Sequence, residues 1–174
     1  TLSSSSAASD VYKRQFLRQQ GVQQALINLG GNVQTLGSPP HEPQGWGIGL
    51  KKPFGRDDEL LGVLQVQGKS VVTSGIYERY FELDGRCWHH IFDPQTGYPL
   101  DNELLSVTVI SDRSIDGDIY TTLLYGMGVE QGLAYLADQP DIDAVFVTRD
   151  RQIICSSPHH FHFQQLDFDW QLRY

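Results

Sequence analysis

The sequence predicts an α+β domain: a mixed, largely antiparallel sheet with helices packed against it. Three observations predict it. Short alternating or β-branched segments are joined by two-residue turn signals, of which Asp84-Gly85 is the strongest. Two helical patterns, 118–127 and 129–137, follow one another instead of alternating with strands. The chain has 174 residues with 40% hydrophobic and 20% charged content, enough for one core, and no run approaches a membrane-spanning helix.

Residues 1–15, TLSSSSAASDVYKRQ, are Ser/Ala-rich and aperiodic and join abruptly to FLRQQGVQQALINLGG. They lack the basic start and apolar centre of a signal peptide. They read as a foreign leader, similar to translated adapter sequence, ahead of a domain segment covering 16–174 whose native chain continues upstream. A disordered native N-terminus is the plainer alternative.

Residues 16–21 read as the end of a helix stopped at Gly21, and Ala25–Leu29 as a buried strand closed by a tight turn at Gly30-Gly31. Residues 37–45, GSPPHEPQG, are a loop by composition. Residues 46–50 return as a strand that stops before Pro53, and 54–60 are turn-like. Residues 61–67 and 71–74 flank Gly68-Lys69 as a hairpin, and 76–83 and 86–92 flank Asp84-Gly85 as another. Residues 104–111 form a β-branched strand, and the two helical patterns follow. Residues 144–148 and 152–155 close a hairpin around Asp150-Arg151, and the tail HHFHFQQLDFDW reads as one more strand.

A net charge of −8 argues against nucleic-acid binding, which needs clustered Lys and Arg. Cys87 and Cys155 form no CxxC pair, so two free thiols are the plain reading and a thiolate metal site is unsupported.

Four segments carry candidate chemistry. In Asn28-Leu-Gly-Gly-Asn32 the adjacent glycines allow backbone to approach a ligand, although a plain turn explains most such pairs. Thr73-Ser-Gly-Ile-Tyr-Glu-Arg-Tyr80 offers small hydroxyls at a strand, with hairpin surface as the alternative. In His89-His-Ile-Phe-Asp-Pro-Gln-Thr-Gly-Tyr-Pro99 a rigid turn follows a strand and presents His90 and Asp93 at its end. Imidazole is the side chain suited to general-base work near neutrality. Adjacent residues of a strand face opposite ways, so His89 is expected to be surface or half-buried. In Asp116-Gly-Asp-Ile-Tyr-Thr-Thr122, Asp118 and Thr122 share a helix face and offer hard oxygen donors to Mg²⁺. On spacing alone, a helix cap by Asp116 or Asp118 ranks ahead of a metal. His159, His160 and His162 read as a solvated face of a late strand.

In sequence order, NLGGN, WGIGL, SGIYERYF, HHIFDPQTGYP, LLSVTVIS and DGDIYTTLLYGMG resemble the motif series of the ApbE-like flavin transferases. HIFDPQTGYP is the most specific of these, and the resemblance runs from about residue 16 to about residue 157. It implies an ApbE/T-fold-like domain truncated at its N-terminal side. The implied activity is Mg²⁺-dependent transfer of FMN from FAD to a Thr or Ser hydroxyl of a target protein, with AMP released. The implied partners are FAD and a subunit of an Rnf-type or sodium-pumping redox complex. The implied location is periplasmic, with an N-terminal lipid anchor.

By position, the resemblance assigns Asp118, Thr121 and Thr122 to the metal. It assigns His90 to activation of the acceptor hydroxyl, and Gly30, Gly31, Ser74, Gly75, His90 and Ile91 to FAD. Thr121 stands where some members have a carboxylate. Gly117 stands where Ala is common, a difference expected to be harmless. A non-catalytic FAD-binding protein and an FAD pyrophosphatase yielding FMN and AMP are the alternatives. Retention of Asp118, Thr122 and His90 favours an enzyme over a mere binder.

Overall fold

The computed structural model describes residues 6–174, and the side-chain surroundings of residues 12–174. Helix α1 spans Ser6–Gln19 and so runs through residues 6–15 of the expected leader; residues 1–5 lie outside the described residues. Strands β1 (Ala25–Leu29) and β2 (Asn32–Leu36) form a hairpin across Gly30-Gly31, with Leu29 opposite Asn32. β1 is not the buried strand expected: it stands at a sheet edge, and of its five residues Ile27 alone is buried. Both glycines have positive φ, 66° and 94°, which a two-residue primed turn requires.

Then follow β3 (Trp46–Lys51), β4 (Leu60–Val66), β5 (Ser70–Gly75), β6 (Tyr80–Leu83), β7 (Arg86–His89) and β8 (Leu104–Ser111). Helix α2 spans Ser114–Leu136. The chain ends with β9 (Asp143–Thr148), β10 (Gln152–Cys155), β11 (His162–Gln165) and β12 (Gln171–Arg173). One sheet has the order β1-β2-β5-β8-β9-β10-β12, a second β11-β4-β3, and β6 pairs only with β7. The pairings are antiparallel except β10 with β12. The α+β class is therefore as the sequence predicts. Among the described residues, no helix is long and apolar enough to cross a membrane.

One expected hairpin is corrected. The hairpin of 61–67 with 71–74 does not form, because β4 and β5 belong to different sheets. The turn between them is held by β2 instead: the Lys69 carbonyl accepts from the Thr35 amide at 2.9 Å and from its hydroxyl at 2.8 Å. The tail 159–170 holds one strand, β11, as expected, and a short further strand, β12, follows it in the other sheet. The Asp84-Gly85 hairpin forms with both residues at positive φ, although its strands are shorter than expected, because residues 76–79 turn.

The break expected between the two helical patterns is present. Gly128 leaves helical geometry at φ 77°, ψ −177°, within an otherwise continuous α2. A Cβ there would sit 2.8 Å from the Glu103 carboxylate, which accepts from the Val129 amide at 2.8 Å. Glu103 thus restarts the helix by satisfying an orphan amide.

The register of β5 on β8 divides the sheet into two faces. Val72, Ser74, Val107 and Val109 face α2; Val71, Thr73, Gly75, Ser106 and Thr108 face a cavity between the large sheet and the β3–β4 sheet. Helix and sheet touch most closely at Gly117, where a Cβ would lie 2.4 Å from Val72 Cγ2 and 2.8 Å from Val72 Cβ. Glycine there is a packing requirement. Gly117→Ala is expected to destabilise by about 1–3 kcal/mol through overpacking, read as a lower urea midpoint at unchanged slope. An unaltered midpoint would mean that α2 can slide on β5.

Candidate active site

A cavity of about 1030 Å³ opens between the two larger sheets. This is at the upper end of small-molecule sites, a size that suits an extended dinucleotide. Gly30, Gly31, Ser74, Gly75 and His90 all line it. Its floor carries a hydroxyl pair, Thr73 with Thr108 at 2.8 Å. Lys51, Arg79 and Glu78 also line it, and the Lys51 ammonium is paired with Asp57 at 3.0 Å. Ile91 is elsewhere: it is 5% exposed and belongs to the hydrophobic core.

His90 sits where β7 ends. Its Nδ1 is 3.3 Å from the Arg79 carbonyl oxygen. A carbonyl only accepts, so Nδ1 carries the proton and Nε2 of the neutral ring keeps its lone pair. The local fold therefore supplies a basic nitrogen at the cavity wall. Asp93, which the sequence presents beside it, organises the turn: its carboxylate accepts from the Gln95 amide at 2.8 Å and the Thr96 hydroxyl at 3.1 Å.

His89 corrects its expectation as a surface or half-buried residue. It is 4% exposed, its Nδ1 accepts from the Ile91 amide at 3.3 Å, and Nε2 donates to the Leu100 carbonyl at 3.1 Å. Burial, chiefly, pushes its pKa below the ordinary histidine value. Protonating Nδ1 would set a proton against the Ile91 N–H. A histidine with a depressed folded pKa favours the fold fully above the unfolded value near 6.5, and this is lost as pH falls below it. The melting temperature is expected to fall between pH 7 and pH 5, and less so in His89→Gln. Equal pH slopes in the two proteins would clear His89 of this role.

The metal candidates stand on the helix side of the sheet. Thr121 is fully buried; its hydroxyl accepts from Ser74 Oγ at 2.9 Å and donates to the Asp118 carbonyl at 3.2 Å. Ser74 therefore joins the cavity rim to α2. Thr122 is exposed, and Asp118 is half-buried. Neither acid caps the helix: Asp116 pairs with Arg113 at 2.6 and 2.8 Å, and the N-cap residue, Arg113, makes no side-chain cap bond.

Asp118 accepts a 3.4 Å hydrogen bond from Asn32 Nδ2, and Asn32 Oδ1 accepts from Ser114 Oγ at 2.6 Å. Burial pushes the Asp118 carboxyl above its ordinary value, and the Asn32 bond offsets this only in part. A half-buried carboxylate on the helix turn that also carries Thr121 and Thr122 fits a hard divalent cation that completes its shell with water and phosphate. Among the described residues no three His, Cys, Asp or Glu side chains converge, so this is a one-carboxylate set.

Sequence reasoning missed Asn32 as a site residue, although it closes the Asn28–Asn32 segment that drew notice. A buried amide on the strand after a Gly-Gly turn was its only signal. It also missed Tyr77, a cavity residue whose ring packs over Gly75 and whose hydroxyl is pushed up to about 12 by burial. The Tyr77 and Ser106 hydroxyls interact, yet neither completes a hydrogen bond of normal geometry.

The chain is 61% identical over 159 residues to an FAD:protein FMN transferase of Klebsiella pneumoniae, covering 91% of this chain and 48% of that protein. It is 37% identical over 150 residues to one from Treponema pallidum, covering 82% and 41%. The crystal structure of the ApbE protein from Thermotoga maritima superposes with a TM-score of 0.69 at 27% identity, over 92% of this chain and 48% of that one. The apo flavinyl transferase ApbE from Pseudomonas stutzeri gives 0.61 at 33% identity, over 92% and 47%. The chain spans about half the length of the relatives it matches. A model of the ApbE family matches residues 6–146, more than half of the sequence, and the chain belongs to that family.

Proposed function

We propose that this chain serves in an FAD:protein FMN transferase. FMN passes from FAD to a Ser or Thr hydroxyl of a target protein, and AMP is released. The observation that carries this is one arrangement: a dinucleotide-sized cavity with His90 on its wall and Ser74 on its rim, hydrogen-bonded to Thr121 beside Asp118.

The acceptor oxygen forms a bond to the flavin-side phosphorus of FAD. The bond from that phosphorus to the bridging oxygen breaks, and AMP leaves with that oxygen. His90 Nε2 takes the hydroxyl proton, its ring held by the Arg79 carbonyl. Gly30, Gly31, Ser74 and Gly75 shape the wall against which the dinucleotide lies, and Arg79 lends positive charge. Asp118, Thr121 and Thr122 would hold Mg²⁺, which would neutralise charge on the diphosphate. By the family resemblance, the acceptor belongs to an Rnf-type or sodium-pumping redox complex on the periplasmic side.

The test incubates the full-length protein encoded by the source gene with FAD, Mg²⁺ and a candidate acceptor domain, and weighs the acceptor. A gain of one FMN, abolished by EDTA, is expected. FMN and AMP with an unmodified acceptor would instead indicate a pyrophosphatase; intact bound FAD would indicate a binding protein.

A further inference from the structure

A second cavity, of about 450 Å³, lies beside the β6–β7 hairpin and is lined by Arg86, Cys87, Trp88, His89, Tyr98 and Arg149, among others. Resting on the transferase function above, we propose that this cavity docks the acceptor segment of the protein substrate as an extended peptide.

Four observations converge on it. The hairpin pairs with neither larger sheet, and a two-stranded unit is marginal without further partners. It carries an aromatic surface that no described residue covers: Phe81 is 60% and Tyr98 62% exposed, Phe81 stacks on Trp88 with centroids 6.2 Å apart, and Tyr98 lies 6.1 Å from Trp88. Such a contiguous exposed aromatic group marks an interaction site.

The lining is also rich in donors. Arg86 sits 5.7 Å over the Trp88 ring, and Arg149 makes only a 3.8 Å pair with the exposed Asp101 besides its bond to the Asn102 carbonyl. The buried Trp88 indole N–H has no partner among the described residues. Two guanidinium groups against one carboxylate suit a segment offering oxygen acceptors together with an apolar side chain for the aromatic wall.

The last observation is position. His89 lines this cavity and His90 lines the larger one, so consecutive residues about 3.8 Å apart at Cα divide the two. An extended chain rising about 3.3 Å per residue, with its hydroxyl at His90, reaches the second cavity within a few residues. A small-molecule acceptor would have no use for such a surface; a protein acceptor requires one.

The experiment places a photo-cross-linking phenylalanine analogue at Tyr98 of the full-length protein, and a control one at the exposed Tyr174. FMN transfer to an acceptor domain is read in the same mixtures. A cross-link to the acceptor from position 98 and not 174 is expected, together with a roughly tenfold rise in acceptor KM in Trp88→Phe and Arg86→Ala at unchanged FAD affinity. Transfer with no cross-link and no KM change overturns the docking cavity while leaving the transferase standing. A cross-link to the acceptor without transfer supports the docking cavity and removes the transferase. A cross-link from position 98 to a second copy of the chain, instead of the acceptor, also overturns it.

Discussion

Asp118→Ala is expected to lower Mg²⁺-dependent FMN transfer by about 10³-fold or more, because metal stabilisation is worth several kcal/mol and each 1.4 kcal/mol is tenfold. The fold should survive. Burial holds the Asp118 carboxyl above its ordinary value, so the ionised form is costly to the folded protein without a cation. For a carboxyl whose folded pKa is raised, the favourable contribution exists at low pH, where the proton is bound. It is lost as pH rises from the unfolded value through the folded one. At pH 7 in EDTA, Asp118→Asn should therefore melt no lower than the parent, while its transfer is lost. Melting in Mg²⁺ separates the two further: the parent should gain stability with added cation, and the variant should not. Undiminished transfer would remove the metal assignment. A lower melting temperature in EDTA would instead make Asp118 a strut for Asn32 and the start of α2.

The elements legible in the sequence were those whose signal is local. The Gly30-Gly31 and Asp84-Gly85 turns announce themselves because two consecutive positive φ values demand such residues. β8 has the bounds expected, Leu104–Ser111, because LLSVTVIS is apolar enough for burial on both faces. The break at Gly128 was legible for the same reason.

What was not legible depends on distant partners. β2 reads NVQTL, polar in three of five positions, yet is buried throughout. Its polar groups are matched by residues far along the chain: Asn32 by Ser114 and Asp118, Thr35 by Lys69. Nothing in five residues reports such partners. The false hairpin of 61–67 with 71–74 has the same origin. Gly68-Lys69 is a good turn, but β4 and β5 both carry apolar residues on both faces, so local pattern cannot choose between pairing with each other and pairing with strands elsewhere. The tight fit at Gly117 was not legible either, because its contact, Val72, is 45 residues away in sequence by its number.

The site shows the same division. The histidine pair was noticed as a pair, and strand geometry sent the two side chains to opposite sides. Which side is buried was set by Leu100 and Ile91, and which nitrogen is basic by Arg79, none of which the spacing reveals. The consequence is chemical. His89, with both nitrogens engaged inside the fold, has no capacity left to exchange a proton with a substrate. His90, with only Nδ1 engaged, does.

His90→Ala is accordingly expected to reduce transfer by about 10²–10⁴-fold, the usual worth of a positioned general base. FAD affinity should change little, since the cavity's glycine and hydroxyl walls remain. His90→Gln can donate to the Arg79 carbonyl without supplying a base, so it should be as impaired as the alanine variant. His89→Gln, which alters the buried neighbour, should lose stability at neutral pH more than it loses the chemical step. If His90→Gln retained most of the activity, the ring would be a positioning group and the proton would leave by another route. If both histidine variants failed equally in transfer and in melting, the end of β7 would be acting as one structural unit, and the division of labour between the two rings would be wrong.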